Sequence, residues 1–158
     1  MLPAKRPVSG DWQPRPAPDW PDGLILFDGV CVLCSRWVAF VLARDEARRF
    51  RFVTVQSAAG RSLALELGVD PDDPQTNAAV LGGMAYFKSD AALAVTRHLH
   101  GLAWARWLRL LPRRLRDWLY DRVARNRYRL FGRHDACPIP DPDMAGRILD
   151  EPTIGPAR

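Results

Sequence analysis

At 158 residues the chain is long enough for one domain with short tails. A hydrophobic share of 47% against 26% charged residues excludes a disordered polyelectrolyte and leaves a globular chain that can bury a core without disulfide staples. Three cysteines are too few, and odd in number, for a disulfide framework, so they point to a reactive pair plus one thiol, or to a metal site. The net charge of +5 is almost wholly arginine, Lys5 and Lys88 being the only lysines, and charge alone establishes neither a nucleic-acid nor a lipid partner.

Residues 1–22 carry Lys5, Arg6, Arg15 and six prolines with no continuous apolar run. That composition is not a secretory signal, and it predicts a flexible or extended leader with order beginning at Gly23. No stretch reaches the ~20 uninterrupted apolar residues of a membrane span. The expected setting is the cytoplasm, where thiols rest reduced.

Leu24 to Phe27 is a continuous apolar run ending at Asp28-Gly29, the pattern of a buried strand entering a turn. Trp37, Val38, Phe40, Val41 and Leu42 then recur at helical spacing, with Arg44, Arg48 and Arg49 near the expected helix end. Phe50 to Val55 reads as a second strand, and Ser57 caps a helix that runs to Leu67 and stops at Gly68. Two short apolar runs, Ala78 to Leu81 and Met84 to Phe87, flank Gly82-Gly83, a hairpin signal because the tight turn needs positive φ. Ser89 opens a helix through about His100, whose imidazole, like that of His98, suits a capping or surface role. The order is β-α-β-α-β-β-α, that of a thioredoxin-like α/β core.

Leu102 to Phe131 predicts two additional C-terminal helices broken at Pro112. Trp104, Trp107, Leu108, Leu111, Leu115, Trp118 and Leu119 step by three and four into one apolar stripe, expected to pack in the core. From Arg97 to Arg133 eleven arginines stand against Asp117 and Asp121, a net +9, expected to form a solvated face with the capacity to touch an anionic surface. Residues 139–158 read as a loosely structured tail, leaving 23–138 as the domain.

Cys31 and Cys34 sit where the first strand turns into a helix. Spacing of three puts the second sulfur one helical turn behind the first, near enough to close a small disulfide ring. The helix N-terminus presents free N–H groups and a positive dipole end that favour a thiolate. Cys31 is therefore the expected nucleophile, and Cys34, expected to be the more buried, the resolving thiol. Asp28 is placed to accept a thiol proton or to hold the turn, and Gly29 to let the backbone turn sharply. A competing reading joins Cys31 and Cys34 to His134 and Cys137 as four zinc ligands. A third treats the chain as a non-catalytic basic interaction protein.

Asp28-Gly29-Val30-Cys31-Val32-Leu33-Cys34 after an apolar strand resembles the DCC family of predicted thiol-disulfide oxidoreductases, named for its Asp, Cys and Cys. A second block agrees: Tyr120, then Ala124-Arg125-Asn126-Arg127-Tyr128-Arg129-Leu130-Phe131-Gly132, then Cys137. The similarity runs from Leu24 to Pro138. It implies a thioredoxin-like fold, dithiol–disulfide exchange, and Asp28, Cys31 and Cys34 as site residues. The expected partners are protein or small-molecule thiols and disulfides, with no bound cofactor, because the cysteines carry the electrons, and no nucleic acid. Arg127, inside the second block, is expected to hold the C-terminal helix against the domain or the active-site rim. Cys137 is a candidate third thiol. Thioredoxins carry a cis-proline before the strand facing the site; here Thr76-Asn77 stand there, with Pro74 farther upstream, so a thioredoxin-style peptide groove is not implied.

Overall fold

The computed structural model describes residues 12–72, 74, 76–132 and 147. Its sheet has five strands: β1 (Arg15–Pro16), β2 (Leu24–Phe27), β3 (Arg51–Thr54), β4 (Ala78–Leu81) and β5 (Met84–Phe87), in the order β1-β5-β4-β2-β3. β2 pairs with β3 in parallel, Leu24 opposite Arg51, and with β4 antiparallel, Leu24 opposite Val80. The helices are α1 (Val32–Arg44), α2 (Ala58–Leu67), α3 (Lys88–Thr96), α4 (Arg113–Arg125) and α5 (Arg127–Phe131), with a 3-10 segment, Ala103–Leu110, between α3 and α4. This mixed α/β architecture is the thioredoxin-like core expected, with the added C-terminal helices.

The alternation of a strand splits the apolar run of β2 between two cores. Leu24 and Leu26 pack with Leu63 and Leu67 of α2 on one face; Ile25 and Phe27 pack with Val38 and Val41 of α1 and with Ala91 and Val95 of α3 on the other. A strand covered on both faces must be apolar throughout, as this one is. The local signals act as expected. Ser57 Oγ accepts the Gly60 N–H at 3.0 Å, Gly68 ends α2 at φ 78°, and Gly82 and Gly83 turn the β4–β5 hairpin at φ 59° and 76°. Gly60 has no room for a side chain, since a Cβ there would meet Thr54 O at 1.8 Å.

The Ser89 helix stops at Thr96, short of His100, and the C-terminal segment forms a 3-10 helix, α4 and α5 in place of two helices. Four further expectations are corrected. Residues 12–22 are not a loose leader: Trp12, Ala17 and Trp20 are buried in the α2-side core, β1 extends the sheet, and Trp20 Nε1 donates to Glu66 at 2.8 Å. Two large aromatic rings outweigh the disfavour of four prolines in this stretch, because an edge strand tolerates proline. Secondly, Arg147, within the stretch read as a loose tail, is buried. Its guanidinium pairs with Asp45 and donates to Phe50 O, and its carbonyl accepts the Phe52 N–H at 2.9 Å. Thirdly, α1 ends at Arg44, before Arg48 and Arg49. Asp45 stops it by turning its carboxylate to the N–H groups of Arg49 and Phe50.

The fourth correction concerns the tryptophan stripe, which is not core. Trp104 is 60% exposed, Trp107 61% and Trp118 53%, with Leu115 and Leu119 also exposed. α4 instead turns Arg113, Arg116, Asp117 and Asp121 inward. Arg113 and Arg116 pair with Asp90 at 3.1 Å, Asp117 accepts from Ser89 Oγ at 2.6 Å, and Asp121 pairs with Lys88 Nζ at 2.7 Å. The first residues of α3 thus meet α4 with charge, not with hydrocarbon.

Candidate functional site

The site forms where β2 stops. Asp28, 4% exposed, ends the strand, and its Oδ1 accepts the Val30 N–H at 3.1 Å and Gln56 Nε2–H at 2.8 Å. Gln56 in turn accepts the Gly29 N–H at 3.0 Å, so the turn is tied to the end of β3. Gly29 does not have the positive φ its residue type suggested; what it supplies is that N–H.

Cys31 occupies the cap of α1, the position that serine, threonine or aspartate usually takes, and its Sγ accepts the Cys34 N–H at 3.4 Å. A sulfur in that role faces the positive end of the helix dipole. The Cys31 thiol is lowered from 9.0 to about 6, chiefly by the hydrogen bond from the Cys34 thiol; the Cys34 N–H and Arg127 add to this, while burial and Asp28 oppose it. Cys34 moves the other way, held protonated by its bond to Cys31 and by burial. Two sulfurs one turn apart share one charge, and the helix end decides which carries it.

Exposure runs against expectation: Cys31 has no exposed surface, whereas Cys34 is half-buried. The Val32 N–H donates to Gly132 O at 3.4 Å, so the end of α5 lies against the first residue of α1. Cys34 borders two spaces. One is a cavity of about 70 Å³ shared with Asp28, Pro74, Thr76, Asn77 and Arg127. The other is an open apolar groove of about 460 Å³, lined among others by Leu33, Trp37, Leu111, Leu119 and Val123.

Beneath the pair, Tyr128 donates its hydroxyl to Asp28 Oδ2 in a short bond, and Arg127 Nη2 lies 3.6 Å from the same oxygen. Arg127 is 8% exposed, donates to Ala124 O and to the Tyr128 hydroxyl, and leaves its Nε without a protein partner among the described residues. Burial works against its charge, but the bond to Tyr128 and the acidic groups around it, Asp28 among them, more than compensate. Burial and the bond to Asp28 raise the Tyr128 phenol.

Thr76 and Asn77 reach the site from the start of β4. Thr76 Oγ1 accepts the Lys88 N–H at 2.8 Å, and Asn77 makes a reciprocal pair with Tyr120, N–H to phenol oxygen at 3.1 Å and phenol to Oδ1 at 3.0 Å. Burial pushes the Tyr120 phenol up to about 12, so it stays a donor. Asp28, Cys31, Cys34, Thr76, Asn77 and Arg127 therefore lie in one neighbourhood.

His134 and Cys137 lie outside the described residues, and among the described residues no three metal-ligating side chains come together. Tyr128, Tyr120 and Gln56 were given no role from sequence. The two tyrosines stood inside the second motif block, a signal that was present, while Gln56 had none.

The DCC1-like thiol-disulfide oxidoreductase family model matches residues 25–133. The Bacillus subtilis (strain 168) protein named "Uncharacterized protein YuxK" is 37% identical over 131 residues, 82% of this chain and 95% of the relative. The Arabidopsis thaliana "DCC family protein At1g52590, chloroplastic" is 42% identical over 120 residues, 73% of this chain and 69% of the relative. No solved structure matches the chain. Among the described residues no helix is long and apolar enough to cross a membrane.

Proposed function

Because the chain belongs to the DCC1-like thiol-disulfide oxidoreductase family, we propose that it exchanges a dithiol for a disulfide through Cys31 and Cys34, with Cys31 as the attacking thiolate. One observation carries this reading: Cys31 Sγ caps α1 and accepts the Cys34 N–H, the arrangement that favours negative charge on that sulfur.

The Cys31 thiolate attacks one sulfur of a substrate disulfide, forming a mixed disulfide and releasing the other substrate sulfur as a thiolate. Cys34 then loses its proton to Asp28, which borders the same cavity, and attacks Cys31. The second substrate thiolate leaves, and two electrons have passed from the protein dithiol to the substrate. The reverse sequence oxidises a substrate dithiol, and Cys31, with its lowered pKa, is then the better leaving group.

Two features compete over which sulfur meets the substrate: exposure favours Cys34 and charge favours Cys31. Charge decides, because the helix end and the bond from Cys34 favour the thiolate at Cys31, while Cys34 is held protonated. Cys31 has no exposed surface, so a local opening around the start of α1 must precede its attack. Arg127 and Tyr128 hold Asp28 in place, and the apolar groove beside Cys34 seats the hydrocarbon part of the substrate. The reading carries with it a reducing, cytoplasmic setting in which both cysteines rest as free thiols.

The test is trapping with a disulfide probe combined with a pH profile. Cys34→Ser should accumulate a mixed disulfide on Cys31, and Cys31→Ser should not. Alkylation of wild-type Cys31 should fall as pH drops through about 6, the pKa being depressed, and the midpoint should rise towards the ordinary thiol value in Cys34→Ala, which removes the leading cause of the depression. A trapped adduct on Cys34 alone, or a wild-type midpoint near 9.0, would overturn the assignment.

A further inference from the structure

The outward side of the C-terminal helices is both apolar and positively charged. Helical spacing brings Leu115, Trp118, Leu119 and Val123 onto the solvent side of α4, all exposed. Trp104, Trp107 and Leu110 of the preceding 3-10 segment, exposed by 60%, 61% and 77%, add to this apolar area. Arg106, Arg109, Arg114, Arg122, Arg125 and Arg129 are exposed among them. The only acids from 101 to 132, Asp117 and Asp121, bond Ser89 and Lys88 on α3, so these segments present no negative charge outward among the described residues. Arg106 lies over the Trp107 ring at 5.4 Å and Arg122 over Trp118 at 5.1 Å, so cation and ring are presented together.

We propose that this surface docks the protein on a lipid bilayer bearing anionic headgroups. Charge complementarity selects this occupant. A second copy of the chain would set arginine against arginine, with no outward acid in this region to relieve the repulsion. A nucleic acid would meet the arginines, but its charged backbone would set phosphates against most of the area formed by Leu110, Leu115 and Leu119. A bilayer interface takes both parts at once. Leucine and tryptophan enter the boundary between headgroups and acyl chains, and the arginines stay at the anionic headgroups. The inward ion pairs of α4 leave this stripe free to do so without disturbing the fold.

Docking has a consequence for the groove beside Cys34. Leu108, Leu111, Leu119 and Val123 are at once exposed and part of the groove lining. The bound surface and the groove mouth are therefore continuous, and a substrate with an apolar group reaches Cys34 from the lipid side. This consequence rests on the proposed exchange, whereas the docking does not.

The test is co-sedimentation of the full chain with vesicles of phosphatidylcholine alone and of equal parts phosphatidylcholine and phosphatidylglycerol, followed by tryptophan emission. Binding to the anionic vesicles with a blue shift, weakened by added salt, is expected. Arg106→Gln combined with Arg122→Gln should weaken it by about five-fold for each arginine removed. Trp104→Ser combined with Trp118→Ser should weaken it by about ten-fold or more. Both double variants alter exposed side chains outside the cysteine site and should keep the wild-type circular dichroism and thiol titration. Absence of binding to anionic vesicles would overturn the proposal, as would equal binding by the tryptophan variant. Self-association abolished by the same tryptophan changes, or capture of duplex DNA without vesicle binding, would reassign the surface. Loss of thiol exchange in Cys31→Ser with vesicle binding intact would separate failure of the chemistry from failure of the docking.

Discussion

β2 and α4 both meet the site, and they are built on opposite logic. β2 is apolar on both faces, each of its four residues 1% exposed, and it is held by hydrocarbon packed from two sides. α4 turns Arg113, Arg116, Asp117, Tyr120 and Asp121 towards the domain and its leucines and tryptophan away from it. The first arrangement is strong and indifferent to exact partners. The second is weaker per contact but specific, because each charge must find its counterpart. A helix attached in this way fixes register. That register carries the chain into α5, where Arg127 and Tyr128 reach Asp28.

Three substitutions break or sharpen this contrast. Phe27→Ala removes a ring that is 1% exposed and packed edge-to-face against Phe52, and should cost about 3–5 kcal/mol in denaturant unfolding. Asp90→Ala strips the shared partner from Arg113 and Arg116 and should cost about 1–3 kcal/mol, with a smaller dependence of stability on salt than in the wild type. If Asp90→Ala proved neutral, α4 would not be held by its charges. Trp118→Ala should shift stability by no more than about 0.5 kcal/mol, despite the size of the residue removed. A loss comparable to that of Phe27→Ala would mean that the stripe is packed in solution and that the two regions are alike.

Much of the candidate site was legible because its signals are local. A strand that must be apolar, a turn at Asp28-Gly29, and two cysteines one helical turn apart can be read within a dozen residues. The partners of that turn cannot. Tyr128 and Arg127 meet Asp28 from about one hundred positions downstream. The motif block announced that those residues mattered without saying what they touch. The relative burial of the two sulfurs was also out of reach, since it is set by tertiary packing around the start of α1.

Taken alone, the sequence determined the elements from Leu24 to α3 and their order: the apolar runs, the Ser57 cap, the Gly68 stop, the Gly82-Gly83 hairpin and the cysteine at a helix start. These follow from backbone sterics and nearest-neighbour hydrogen bonds, which the chain carries wherever it goes. Only the tertiary structure decided orientation. A stripe at helical spacing shows that a helix has two faces but not which one meets the domain. α3 opens with Lys88, Ser89 and Asp90, so the charged face of α4 turned inward and the tryptophans turned out. The same holds for Trp12 and Trp20, which pack because the α2-side core has room for them, and for Arg147, which is buried because Asp45 needed a cation.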